Sequence, residues 1–203
     1  MQTELTLTSC LFGQCLFPGI FLLLIPFAIM MSLQQIKRYN EMLATLATEL
    51  GCRIEQPNQW SSAQIRGQYR GREIHIYTVT EGSGKHRHTH TIVSAQHKGK
   101  IDAPIDLTPE NMGTRIVEAL GGQDIKTGNQ TFDDKYRIQS KWPGAAQAIN
   151  LEIQQKLQQQ PLTATINQQT VYTKTPTQIT DKQALKQLID QITDLAEATD
   201  TTN

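Results

Sequence analysis

The chain has 203 residues, of which 19 are Lys or Arg and 19 are Asp or Glu, so its formal net charge at pH 7 is zero. This balance argues against a protein that binds polyelectrolytes in general. Cys52 is the one cysteine beyond residue 34, which excludes an internal disulfide framework there and indicates a reducing compartment.

The most apolar stretch of the chain lies near its start. Residues 1–9 form a short N-terminal segment, and residues 10–33 contain no charged side chain. A helix over residues 16–33 would be roughly 27 Å long, close to the ~30 Å hydrocarbon core of a bilayer. We therefore predict a transmembrane helix over residues 10–33. Because Lys37 and Arg38 follow it, the positive-inside rule predicts a single-pass protein of the inner (plasma) membrane with a cytoplasmic C-terminal domain.

Residues 34–51 are predicted to form a juxtamembrane helix. Its apolar side chains recur every three or four residues, and Gly51 is a typical helix terminator. The apolar positions are Ile36, Tyr39, Leu43, Leu46 and Leu50. Two heptads are too few for a coiled coil, so we expect this stripe to pack against the chain's own domain.

Residues 52–198 are predicted to form one soluble α+β domain, followed by a disordered tail over residues 199–203. Alternating apolar and polar residues between turn signals predict a series of strands. The predicted strands are 63–69, 72–80, 88–96, 101–107, 131–140, 162–166 and 170–175. Helical spacing and capping residues predict helices from Thr108 to about residue 120, over 145–159, and from a capping box at 180–183. The predicted fold is α+β, a transmembrane helix followed by an antiparallel sheet packed by three or four helices.

Several short motifs resemble a pattern found in one group of bacterial proteins. They are GQYRGR at 67–72, GGQDI at 121–125, TGN at 127–129, and FD at 132–133 followed by YRI at 136–138. The pattern is similar to that of uncharacterised bacterial proteins with a single membrane anchor and a small α+β domain of unknown function. The resemblance implies that architecture, and it transfers no activity and no site residue.

Three histidines, His86, His88 and His90, alternate along residues 86–90. On a strand they would project from one face at intervals of about 6 to 7 Å. Three imidazoles suit zinc or copper, so these histidines form a candidate metal site. The alternative is a polar flank of a hairpin, because no carboxylate or cysteine partner can be identified.

Basic residues dominate positions 66–100, where the acidic residues are Glu73 and Glu81. Five are candidate contacts to an anionic lipid or a protein partner: Arg66, Arg70, Arg72, Lys85 and Arg87. Near an anionic leaflet each such residue can contribute about 1 kcal/mol. A solvated face is the alternative. Nucleic acid is disfavoured as a partner, because few aromatic residues are available to stack on bases.

The sequence shows no motif for catalysis or for a cofactor. GSGK at 82–85 lacks the other residues of a phosphate-binding loop, so it is interpreted as a turn. Cys52 has no histidine nearby in sequence, and Asp133 and Asp134 would point to opposite faces of a strand. We assign no catalytic residue and no cofactor, and favour a non-enzyme.

These features favour a membrane-anchored binding or scaffold module. Its predicted partners are the lipid bilayer, a membrane protein and anionic lipid. One alternative function is metal binding through His86, His88 and His90. A second is an unrecognised hydrolase, which would require a pocket with convergent polar groups.

Overall fold

A computed structural model describes residues 8–56, 58, 61–110 and 123–201, with side chains from residue 29 onward except that of Gln123. These residues form a nine-stranded sheet in the order β1-β2-β3-β4-β9-β8-β5-β7-β6, and every paired strand is antiparallel to its neighbour. The strands are β1 (Arg53–Glu55), β2 (Gln64–Tyr69), β3 (Arg72–Glu81), β4 (His88–Gln96), β5 (Ile105–Pro109), β6 (Gln123–Ile125), β7 (Tyr136–Ser140), β8 (Ala164–Ile166) and β9 (Thr170–Lys174). The helices are α1 (Thr8–Leu50), α2 (Gln130–Asp133), α3 (Ala145–Ala148), α4 (Leu151–Gln159) and α5 (Lys182–Asp200).

One face of the sheet contributes apolar side chains to the hydrophobic core, to which helices also contribute. Successive side chains of a strand point to opposite faces, so the apolar residues of alternating segments collect on one side. The pairing puts Ile65, Ile76 and Val93 side by side on β2, β3 and β4. Every buried strand residue in the described part of the chain lies on this face. The predicted antiparallel sheet and α+β class are therefore confirmed.

Two long helices cover that face. The predicted stripe of α1 is buried, with Leu43 and Leu46 fully inaccessible to solvent. Helix α5 turns Leu185, Ile189 and Ile192 inward, and each is likewise fully buried. Both helices join the strands in one hydrophobic cluster, which makes residues 39–50 of α1 part of the domain core.

The predicted transmembrane helix over residues 10–33 is wrong on the evidence of the described residues. Thr8–Leu50 is one continuous helix, yet no helix in the described part of the chain is long and apolar enough to cross a membrane. Lys37 and Glu41 form an exposed i,i+4 ion pair while Leu43 packs on the sheet, so the part of the helix over residues 37–50 is amphipathic. The side chains of residues 10–28 lie outside the described residues. The single-pass membrane assignment is therefore dropped.

Smaller corrections have local physical causes. The run predicted to be extended over 131–140 begins as helix α2, because the Asp133 carboxylate accepts hydrogen bonds from the preceding loop and holds it in a turn. The helix predicted over 145–159 is split, since Asn150 caps a new helix by accepting from Ile153 N at 2.9 Å.

The bounds of several other elements differ from the predicted ones. The final helix is capped by Asp181, one residue after the predicted start of its capping box, and it continues through Asp200 into the segment predicted to be a disordered tail. Thr108 and Pro109 end strand β5, and most of the helix predicted to follow lies outside the described residues. Edge strands β1 and β6 were not predicted.

Candidate functional site

The face of the sheet opposite α1 and α5 carries one continuous row of side chains, with one residue from each strand. None of the nine members is buried, and the register places all of them on the same face. In spatial order the row is Arg53, Arg66, His75, Ser94, Tyr172, Thr165, Asp106, Gln139 and Asp124. We call it the open-face row. Its charge is polarised, because the two arginines lie at the β1–β2 end and the two aspartates toward the β6 end.

The basic end is ordered by contacts around His75. The Arg66 Nη2 atom lies 3.5 Å from His75 Nδ1, and Gln64 Oε1 lies 3.0 Å from His75 Nε2. Burial lowers the pKa of His75, and the positive charge of Arg66 lowers it further. A guanidinium can only donate, so Nδ1 is the acceptor and Nε2 carries the proton. His75 is therefore a neutral group, stacked on Tyr77 with ring centroids 4.5 Å apart.

Beside the acidic end lies a groove of about 400 Å³, which we call the Asp106 groove. The Thr165 hydroxyl donates to Asp106 Oδ1 at 2.7 Å, which fixes the carboxylate against the sheet. At the far side Lys174 Nζ donates to Glu81 Oε2 at 2.6 Å. The described lining also includes Thr108, Gln139 and Tyr172. The groove therefore combines hydrogen-bond donors and acceptors with the aromatic rings of Tyr172 and His90.

The three histidines of the candidate metal site have different surroundings in the structure. His86 lies in a 3-10 turn, His88 is exposed on β4, and His90 Nδ1 lies 2.8 Å from Thr175 O. In the described part of the chain, no group of three or more His, Cys, Asp or Glu residues is arranged to hold a metal ion. The metal hypothesis gains no support from this geometry.

The five basic candidate residues lie in three places. Arg66 is part of the open-face row. Arg70 and Arg72 lie at the β2–β3 turn, where Arg70 is paired with Asp194 at 2.7 Å and Arg72 with Asp200 at 2.6 Å. Lys85 and Arg87 are exposed at the β3–β4 connection. The structure thus does not gather all five on one surface, and two of them clamp α5 to the sheet.

Replacing Arg72 with Gln should weaken this clamp. Arg72 donates to both oxygens of Asp200, and Asp200 also accepts from Lys98 N. The hydrogen bond from Arg72 and that from Lys98 hold the pKa of Asp200 below its ordinary value. A lowered carboxyl pKa contributes stability that is present above the unfolded-state pKa and is lost as pH falls through the folded-state pKa. We expect R72Q to lose about 1–2 kcal/mol of unfolding free energy at pH 7, and less at acidic pH.

Chemical unfolding at pH 7 and at pH 3 measures this effect. Arg53→Gln is the control, because Arg53 forms an exposed pair with Glu55 and its loss should cost little. Equal losses of unfolding free energy for the two variants at pH 7 would show that the Arg72–Asp200 pair stabilises the fold no more than an exposed ion pair does.

The surroundings of Cys52 and Asp133, the two groups considered for catalysis, indicate structural roles. Burial raises the pKa of the Cys52 thiol, which lies 3.8 Å from the backbone oxygen of Gln68, so the reactive thiolate is disfavoured. Burial also raises the pKa of Asp133, but hydrogen bonds from Thr127 and Gly128 outweigh it and hold this pKa below its ordinary value. Asp133 therefore orders a loop.

Sequence reasoning missed most of the open-face row. Ser94, Tyr172, Thr165 and Gln139 were not selected, although strand alternation already put them on the polar side. Their convergence depends on pairing between distant segments, such as β4 with β9 and β5 with β8. No local sequence signal specifies those pairings.

Comparison with models of protein families gives no match, and comparison with curated proteins gives none. Among solved structures, the chain is similar to the crystal structure of the mycobacterial trehalose monomycolate transport factor A, TtfA. The two are 11% identical, with a TM-score of 0.57 over 81% of this chain and 96% of that one. At this identity the likeness establishes a shared fold.

Proposed function

We propose that this chain is a non-enzymatic binding module that docks a protein partner on the open face of its sheet. The observation that carries the proposal is the open-face row, which continues across all nine strands and has no buried member. Strands are spaced about 4.8 Å apart, so nine of them span roughly 38 Å. This width suits the footprint of a protein, about 800 Å² for a standard interface, better than that of a small molecule.

The charge pattern gives the docked partner one preferred orientation. Arg53 and Arg66 at one end favour acidic groups, whereas Asp106 and Asp124 at the other favour basic ones. Complementary charges of this kind steer the encounter and select the register more than they add affinity. The expected partner surface is therefore elongated and oppositely polarised.

Tyr172 supplies the anchor of the proposed interface. It lies mid-row, half-buried, at the rim of the Asp106 groove. Tyrosine is enriched in the parts of interfaces that contribute most binding energy, because it combines a large apolar ring with one polar group. The groove beside it offers room for one or two side chains of the partner.

Two further observations support an accessory role. Cys52, the thiol considered as a nucleophile, has a raised pKa. The structural neighbour is named as a transport factor, and we infer an accessory role for this chain by analogy with that name. We also propose a cytoplasmic location for the domain, which the free thiol of Cys52 supports.

A single bulky charge in the centre of the row tests the proposal. Ser94→Arg should reduce partner capture at least tenfold, because the long side chain blocks close approach at mid-face. The matched control is Gln155→Arg, on the exposed side of α4. The tagged full chain and both variants would be purified from the native host, and co-purifying proteins quantified by mass spectrometry.

The proposal expects a defined set of proteins that is lost with S94R and kept with Q155R. Matching thermal melts of the two variants would show that S94R is folded. If both variants retain the same proteins, the open face is not the docking surface.

A further inference from the structure

A second concave surface lies on the other side of the sheet, where helix α1 leaves the domain core. This opening of about 1130 Å³ separates residues 32–39 of α1 from the β3–β4 hairpin. We call it the hairpin cleft. It shares no described residue with the open-face row, so an inference about it stands independently of the proposed function.

The core-facing side chains of the hairpin strands β3 and β4 change from apolar to polar beyond the end of the hydrophobic core. On the core-facing side of β3, Ile74 and Ile76 are followed by Thr78 and Thr80. On β4 the facing positions run from Val93 outward to Thr91 and Thr89, and Arg87 lies just before the strand. The core side of the hairpin thus continues as a hydroxyl-rich wall of the cleft.

The charge of the cleft is of one sign. Of the described residues that line it, none is Asp or Glu, while Arg38 enters from α1 and Arg87 from the hairpin. In the described part of the chain, neither of these arginines has a carboxylate within ion-pairing distance. By contrast, Arg53, Arg70, Arg72 and Arg137 are all ion-paired. Two uncompensated guanidinium groups therefore share one concave surface.

A buried polar atom at the base of the cleft is also unsatisfied. Tyr39 lines the cleft and is only 6% exposed, yet its hydroxyl has no partner within hydrogen-bonding distance among the described residues. Burial raises the pKa of Tyr39, and the polar side chains of Gln178 and Thr91 lower it by a smaller amount. A buried hydroxyl without a partner is unfavourable, so a ligand that supplies an acceptor to Tyr39 gains binding free energy.

We propose that the hairpin cleft binds a phosphate-bearing anion. Guanidinium groups bind phosphate through parallel charge-assisted hydrogen bonds, and hydroxyl and amide groups of the wall can donate to its remaining oxygens. A phosphate offers more acceptor oxygens than a carboxylate, which fits two arginines and several neutral donors. The cleft is far larger than one phosphate, so the ligand is a phosphate ester or a lipid headgroup.

The test uses the full chain and two probes that distinguish these sources. Glycerol 3-phosphate, measured by isothermal titration calorimetry, represents a soluble phosphate ester. Phosphatidylglycerol vesicles, measured by co-sedimentation against phosphatidylcholine vesicles, represent the headgroup. Binding of the soluble ester supports the first source, and binding of anionic vesicles alone supports the second.

In either case Arg38→Gln and Arg87→Gln should each weaken binding about tenfold or more, since each removes a charge-assisted hydrogen-bond donor. Tyr39→Phe should weaken it by a smaller factor. The control Lys156→Gln removes one positive charge from α4, outside both the cleft and the open-face row, and should leave binding within twofold. Absence of binding to both probes, equal binding to neutral vesicles, or equal effects of R38Q, R87Q and K156Q would overturn the proposal.

Discussion

A chain that begins at Cys52 should fail to fold stably, whereas one that begins at Gln34 should unfold cooperatively on heating. The difference is the second half of α1, whose side chains contribute to the same core as the sheet and α5. Leu43 and Leu46 are fully buried, and Tyr39 and Leu50 are each 6% exposed. Truncating one buried leucine to alanine typically costs 2–5 kcal/mol. Removing the whole stripe therefore costs about as much as the total stability of an ordinary domain.

Circular dichroism melts and size-exclusion chromatography of the two chains measure this effect. Two point variants of the full chain test the same contribution of α1. Leu43→Ala should lower the unfolding free energy by about 2–5 kcal/mol, whereas Ala44→Ser, at an exposed position of the same helix, should lower it by less than about 1 kcal/mol. A sharp melt of the chain that begins at Cys52, close to that of the longer chain, would show that α1 is not part of the core.

The second large effect is expected at Tyr136, whose hydroxyl is bonded deep in the core. Tyr136 is 2% exposed, and its oxygen lies 3.3 Å from the carbonyl oxygens of both Leu157 and Leu162 while accepting from Leu162 N at 3.0 Å. Tyr136→Phe leaves a buried amide without an acceptor, which costs about 1–3 kcal/mol. Chemical denaturation at pH 7 measures the loss.

Tyr77→Phe is the matched control. Tyr77 is half-buried, and in the described residues its hydroxyl makes no hydrogen bond, so the change should stay within about 0.5 kcal/mol. A loss at Tyr136 no greater than that at Tyr77 would mean that the buried hydroxyl is not the source of stability.

Tyr136 also predicts a loss of stability at alkaline pH. Burial raises its pKa to about 12. Because the folded-state pKa lies above the unfolded-state value near 10, the contribution of the neutral phenol is complete below pH 10 and is lost as pH rises toward 12. The Y136F variant should therefore show a weaker decline in stability over this interval than the wild type.

Local patterns in the sequence predicted the central strands and the last helix. Ile74 and Ile76 alternate with polar neighbours, which identifies the buried side of β3. Leu185, Ile189 and Ile192 follow helical spacing, which identifies the buried side of α5. Strands β1 and β6 have three residues each, too short for a clear alternation, whereas the equally short β8 was predicted within the longer segment 162–166. Helix α2 could not be predicted from local periodicity, because hydrogen bonds from the loop over residues 127–128 to the Asp133 carboxylate stabilise it.

The candidate site was less predictable than the fold. Clusters of like residues in sequence, such as the alternating histidines, were chosen because they are visible locally, yet the structure distributes them among different neighbours. The open-face row takes one residue from each strand, and Ser94 meets Tyr172 only through the β4–β9 pairing. The apolar composition of residues 10–33 predicted a membrane span, whereas no helix in the described part of the chain is long and apolar enough to cross a membrane, and residues 39–50 of α1 pack on the chain's own sheet.

Site-specific photo-crosslinking in native cells tests the proposed docking surface most directly. A benzophenone-bearing amino acid would be placed at Ser94 and at Gln139 on the open face, and at Gln155 on α4. The proposed function predicts the same crosslinked protein from both open-face positions and none from Gln155. Crosslinks from all three positions alike, or from Gln155 alone, would contradict it.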